Sequence, residues 1–137
     1  MSSIFHLAFN VTDLEIACDF YSNTLGCKQG RKTDTWVDYN FFGHQLSLHL
    51  GEPFHIEPTG KVDNIAVPMP HFGAILPLTQ WKELAIKLQA LNITFIIQPS
   101  VRFEGQAGEQ HTMFFSDPFG NPIEFKSFAN TDRVFQS

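Results

Sequence analysis

The sequence predicts an α+β fold of two tandem βαβββ modules. Three observations predict it. Strong period-two alternation opens the chain at residues 4–11 and closes a first half at 45–50. A helical pattern follows the first strand in each half. A stretch with four prolines and two glycines, residues 51–70, separates the halves. Alternation puts successive side chains on opposite faces of a strand, and a 3.6-residue period puts apolar residues on one helical stripe.

In Ile4–Val11, Phe5, Leu7, Phe9 and Val11 make one apolar face, and His6, Ala8 and Asn10 make the other. That second face reads as the wall of a polar cavity. Thr12-Asp13-Leu14-Glu15 has the form of a capping box with Thr12 as cap and Glu15 reaching back. Leu14, Ala17, Cys18, Tyr21 and Leu25 then share a helical face of about a dozen residues, with Gly26 as its stop. Three extended segments follow: Cys27 to Lys32, Thr35 to Phe42, and Gln45 to Leu50. In the last, Gln45, Ser47 and His49 oppose Leu46, Leu48 and Leu50.

The stretch 51–70 reads as a connector in which Asn64 to Val67 is briefly extended. The pattern then restarts. His71 to Leu76 is a strand; Thr79 caps a helix with Trp81, Leu84, Ala85, Leu88 and Leu91 on one face; Asn92 ends it. Ile93 to Gln98 is a strand stopped by Pro99, and Ser100 to Glu109 is a polar loop. His111 to Phe115 is extended, Asp117-Pro118-Phe119-Gly120 fits a type I turn, and Ile123 to Phe128 is the last strand. The expected organisation is a single domain, residues 1–137, with module one at about 4–50 and module two at about 71–128.

Composition narrows the function. The chain has 137 residues, 43% of them hydrophobic and 17% charged, which is globular. A net charge of −5 without a basic cluster argues against nucleic acid. No apolar run reaches membrane-spanning length, and the first residues lack a secretory pattern. Cys18 and Cys27 read as reduced thiols. A cytoplasmic protein is the expectation.

Four potential ligands come from matching places: His6 and His71 from the start of each first strand, His49 and Glu124 from each last strand. Glu124 sits between Ile123 and Phe125, and a carboxylate aimed into a cavity needs a partner. One divalent cation would satisfy all four: Fe, Ni, Mn or Zn suits an imidazole and carboxylate set. His44, His55 and His111 lie outside the pattern and read as surface or supporting residues. Arg102 reads either as a loop residue that closes on a substrate anion or as a solvated arginine paired to Glu104 or Glu109. Gln45 and Trp36 read as substrate-binding, and Tyr39 and Phe41 as further candidates for the pocket wall.

The segments FHLAFNVTDLEIACDFYSNTLGC and MFFSDPFGNPIEFK, with the repeat, resemble the vicinal oxygen chelate superfamily. Its members include glyoxalase I, extradiol dioxygenases, fosfomycin-resistance enzymes, methylmalonyl-CoA epimerase and metal-free bleomycin-binding proteins. The resemblance implies sheets that curl around a cavity and a metal that chelates two vicinal oxygens of a small substrate. It implies His6, His71 and Glu124 as ligands, with His49 where glyoxalase I carries a glutamate or glutamine, and Glu124 or His49 as a proton carrier. A lyase or isomerase leads. A ring-cleaving dioxygenase, fosfomycin-type transfer and a metal-free sequestering protein are the alternatives. Many relatives are homodimers, so a homodimer is expected.

Overall fold

The opening alternation becomes β1 (His6–Val11) in the computed structural model, which describes residues 2–62 and 65–135. Val11 and Phe9 are buried, but Phe5 precedes the strand and is 64% exposed. The apolar face is therefore core only in its second half.

The chain forms two units by its internal packing. The first holds the described residues through His55 together with Asp117–Asn121; the second holds those of Ile56–Ser116 and those from Pro122 on.

In the first unit, α1 (Leu14–Cys18) runs without a break into a π-helical turn, Asp19–Thr24. Leu25 N–H donates to the Phe20 carbonyl at 2.9 Å, the five-residue spacing of that turn. The cap is Asp13, not Thr12: its backbone is extended, and Oδ1 accepts from Ile16 N–H at 3.0 Å. Asp and Thr compete for one donor set, and the cap falls on the residue nearest the first helical turn. Gly26 follows with φ +74°, as the stop requires.

Next come β2 (Lys28–Lys32), β3 (Trp36–Phe41) and β4 (His44–Leu50). The sheet order is β1-β4-β3-β2, with β1 and β4 parallel. Val37, Tyr39, Phe41, Leu46 and Leu48 fill the core side. Tyr39 and Phe41 are buried packing residues, and Tyr39 also borders a cavity on this sheet. The turn Asp117–Gly120 belongs to this unit and closes as a type I turn, Gly120 N–H to Asp117 O at 3.1 Å. Asp117 also accepts from Tyr21 Oη at 2.8 Å, from Asn121 Nδ2, and from the amides of Phe119 and Asn121. Burial pushes both the Asp117 carboxyl and the Tyr21 phenol above their ordinary values.

In the second unit the connector is itself ordered as an antiparallel hairpin, β5 (Glu57–Val62) and β6 (Ile65–Met69). Asn64, expected at the start of the extended stretch, lies outside the described residues. Val67 of β6 packs with Phe114 and Ile97, so the hairpin covers part of the second sheet.

That sheet is β7 (Phe72–Ile75), β8 (Phe95–Arg102), β9 (Gln110–Ser116) and β10 (Pro122–Phe128), in the order β7-β10-β9-β8. α2 (Leu78–Ala90) buries Trp81, Leu84, Ala85 and Leu88, and Trp81 Nε1 donates to the Phe125 carbonyl at 2.9 Å. Its cap position is Pro77, so Thr79 lies inside the first turn; Leu91 is exposed past the end, and Asn92 takes φ +57°. Pro99 does not stop β8. The strand is the sheet edge, and its pairing shifts between Ile97 and Ser100, which accommodates a residue without an N–H. No helix among the described residues is long and apolar enough to cross a membrane.

Candidate metal centre

The second unit brings His71 and Glu124 together. Glu124 lies in the middle of β10, opposite Gly73 on β7 and Phe114 on β9, with its side chain 10% exposed. Thr112 Oγ1 donates to Glu124 Oε2 at 2.7 Å. Oε1 stays directed at His71, and Lys126 Nζ stands 3.8 Å from it. His71 immediately precedes β7. Its Nδ1 lies 2.9 Å from the Pro68 carbonyl of β6, and its ring packs edge-on against Phe114 at 4.8 Å.

A carbonyl only accepts, so Nδ1 carries a proton, and a neutral ring would keep its lone pair on Nε2. That atom faces Glu124 Oε1 at 3.6 Å. The gap is too long for a hydrogen bond. It is close to the roughly 3–3.5 Å between neighbouring ligand atoms around an ion bound at about 2.1 Å. With Nε2 bare, the two atoms leave room for a cation between them. The donor set therefore fits a divalent ion, and the partners of Nδ1 and Oε2 are of the kind that orient metal ligands.

The first unit places His6 on the polar face of its sheet. Three rows cross that face: His6, Gln45 and Asn40; Ala8, Ser47 and Asp38; Asn10, His49 and Trp36. His6 Nδ1 lies 2.8 Å from Gln45 Oε1. Asp38 is buried in the middle row and receives Ser47 Oγ at 2.6 Å, Gln45 Nε2 at 3.4 Å and Arg31 Nη2 at 3.6 Å.

The register corrects one sequence expectation. Both first-strand histidines stand two residues ahead of a small residue, Ala8 or Gly73, whose parallel partner is Ser47 in one unit and Glu124 in the other. Ser47, not His49, is the counterpart of Glu124, and Lys126 is the counterpart of His49. His49 is four residues beyond the partner of His6 along β4, about 13 Å at the usual rise. Within this unit the two imidazoles do not reach one ion. His49 instead lies against Trp36, ring centroids 6.3 Å apart. A cavity of about 310 Å³ adjoins it, lined by Ala8, Asn10, Glu52 and Phe54. Among the described residues no group of three or more His, Cys, Asp or Glu side chains forms a ready metal-binding set.

Arg102 is not in a loop. It ends β8 opposite Gln110, its guanidinium 4.9 Å from the Phe103 ring centroid. Trp36 is half-buried with the Arg31 guanidinium 5.6 Å over its ring. Gln45 lines a second cavity of about 330 Å³ with Arg31, Asp38, Asn40 and His44, and His44 Nδ1 accepts the Phe5 amide at 3.0 Å. His111 packs on Trp81 at 5.0 Å. Ser47 shares the patterned face of Gln45 and His49, whereas no motif singles out Asp38 or Thr112. Alternation alone would have found Asp38, because it shares the face of Trp36 while Tyr39 does not.

The Glyoxalase/Bleomycin resistance protein/Dioxygenase superfamily matches residues 3–125, and the chain belongs to it. Among its relatives, metallothiol transferase FosB of Lysinibacillus sphaericus (strain C3-41) is 26% identical over 134 residues, covering 98% of this chain and 88% of that one. A crystal structure of a glyoxalase/bleomycin resistance protein/dioxygenase from Alicyclobacillus acidocaldarius is similar at 31% identity and a TM-score of 0.79, covering 97% and 96% of the two chains. The fosfomycin resistance protein FosX of Listeria monocytogenes shares the fold, with a TM-score of 0.66 at 16% identity over 98% and 99% of the chains.

Proposed function

We propose that the chain is a metal-dependent enzyme acting on a small oxygenated substrate. His71 and Glu124 are its ligands in the second unit, and one divalent ion, Fe, Ni, Mn or Zn, is the cofactor; His6 stands as a ligand candidate of the first unit. The observation that carries this reading is the 3.6 Å approach of His71 Nε2 to Glu124 Oε1, with the remaining polar atom of each side chain already engaged. When bound, the ion supplies Lewis acidity to neighbouring oxygens of the substrate.

The chain's own residues divide the remaining work. Thr112 holds the Glu124 carboxylate by Oε2, so Oε1, the atom facing His71 and Lys126, is the one that would hold the ion or carry a proton. Lys126 beside it offers a positive charge to an anionic substrate group. Trp36 and His49 line the far row of the first unit's polar face, where they contact substrate rather than metal. Arg102 is kept as a candidate for a substrate anion. Lyase or isomerase proton chemistry remains the leading reaction. Thiol transfer is the second reading, favoured by the likeness to metallothiol transferase FosB along nearly the whole chain. A homodimer belongs to the same reading and rests on the habit of the family.

Metal analysis of protein purified without chelator tests the proposal. About one ion per chain that disappears in His71→Ala and Glu124→Ala supports it. Absence of binding after soaking with Ni, Mn, Zn and Fe(II) overturns it and leaves a metal-free binding protein. On the loaded protein, the hemithioacetal of methylglyoxal probes the lyase reaction, and fosfomycin with a thiol probes transfer. Oxygen uptake with a catechol would replace both by a dioxygenase.

A further inference from the structure

The exposed His6 ring meets the side chain of Gln45, and the order of the groups behind that amide bears on which ring nitrogen carries the proton. Asp38 faces three donors, the Ser47 hydroxyl, the Arg31 guanidinium and the Gln45 amide, and so acts only as an acceptor. An acceptor at Asp38 turns the Gln45 NH2 toward itself. The same amide must then present its oxygen at the other end, where His6 Nδ1 lies 2.8 Å away. An oxygen there requires a proton on Nδ1. In the neutral ring Nε2 is then bare.

We infer that Asp38 and Gln45 are positioning residues: through the amide they hold His6 in the Nδ1–H tautomer and present Nε2 as the ligand atom. This rests on the reading of His6 as a metal ligand and extends it to residues two steps away. The imidazole of His71 is set to the same tautomer by the Pro68 carbonyl, which no side-chain substitution removes. The relay is therefore specific to the first unit. Ser47 braces Asp38 through its other oxygen and has no bond to Gln45 or His6 in this chain of contacts.

The tautomer is read in metal-free protein by two-bond proton–nitrogen correlation spectra at a pH of about 8, where imidazoles are neutral. His6→Ala assigns the ring, and zinc affinity is measured in parallel by competition with a chromophoric chelator. The native chain should show His6 as Nδ1–H. Asp38→Asn, which lets the Gln45 amide turn either way, should give a mixture of tautomers and weaken zinc about 10- to 100-fold. His71 should stay as it was. The exchanged pair Gln45→Glu with Asp38→Asn places an acceptor against His6 and a donor against that acceptor; it should restore both the tautomer and the affinity. Ser47→Ala should leave the tautomer alone, whatever it does to stability.

A native His6 in the Nε2–H form overturns the relay. So does a tautomer unchanged by both Asp38→Asn and Gln45→Leu, and the second variant decides if the first does not fold. Native protein that binds no zinc but whose His6 tautomer follows Asp38 keeps the relay and removes the metal reading. Tight zinc binding with an indifferent tautomer keeps the metal and removes the relay.

Discussion

His6 and His71 stand at the same point of their ladders, two residues ahead of Ala8 and Gly73, yet different partners meet their Nδ1 atoms. In the second unit a backbone carbonyl on the connector hairpin does the work. In the first unit a glutamine does it, and a buried aspartate orients the glutamine. A second contrast runs beside this one. Each unit pairs a hydroxyl with a carboxylate on its polar face, Ser47 with Asp38 at 2.6 Å and Thr112 with Glu124 at 2.7 Å. The carboxylate is on β3 in one unit and on β10, the counterpart of β4, in the other. Asp38 is occupied by three donors, whereas Glu124 keeps one oxygen directed at its histidine. One unit thus separates its carboxylate from its first-strand histidine by a glutamine, and the other sets the two face to face. Divergence of a repeat shows here as a shift of charge between neighbouring strands, without a change of fold.

The comparison breaks most severely at Gly73. A Cβ there would overlap the carbonyl oxygen of Glu124, a rigid backbone neighbour, whereas the counterpart Ala8 already carries one. Gly73→Ala should cost about 3 kcal/mol or more and separate β7 from β10, while Ala8→Gly should cost only about 1 kcal/mol. Urea unfolding midpoints measure both. Next in size, Glu124→Gln keeps the shape of the pair but removes its charge, and metal affinity should fall by more than about 100-fold. Ser47→Glu, which copies Glu124 into the first unit, should add no ligand, because it places a second carboxylate against Asp38.

Smaller effects follow. Thr112→Val leaves Oε2 of Glu124 without its donor and should weaken metal binding about tenfold, at about 1 kcal/mol of stability. Tyr21→Phe removes the bond to Asp117 and should cost about 1 kcal/mol. The Asp117 carboxyl is raised by burial, so the folded state binds its proton more readily than the unfolded chain does. Its contribution is fully present below the unfolded value and is lost as pH rises through the folded one. Unfolding midpoints across the acid range should therefore show a decline with rising pH that Asp117→Asn lacks.

Much of this was legible in the residues. The repeat, the helical stripes, the Asp117 turn and the polar faces of β1 and β4 follow from spacing alone. The differences share a cause. Thr12 and Thr79 fit a cap as well as their neighbours do, because capping chemistry is local and degenerate, while the real start depends on where the strand before it ends. Pro99 does not stop β8, because its missing N–H matters only when a neighbouring strand needs it, and β8 lies at the sheet edge. His49 and Glu124 alternate alike. Alternation fixes the face and says nothing of the row.

By itself, then, the sequence determined the two modules, the face each polar residue occupies, and the histidines that open each half. Side-chain direction along a strand is local, with a period of two set by the backbone. Only the tertiary structure decided which residues lie opposite one another. Pairing β1 with β4 spans more than thirty residues of chain, and a shift by one row moves His49 out and Ser47 in without disturbing any local pattern. The same holds for the ring of His6: its partner Gln45 is in turn met by Asp38, a residue on a strand that β1 does not pair with.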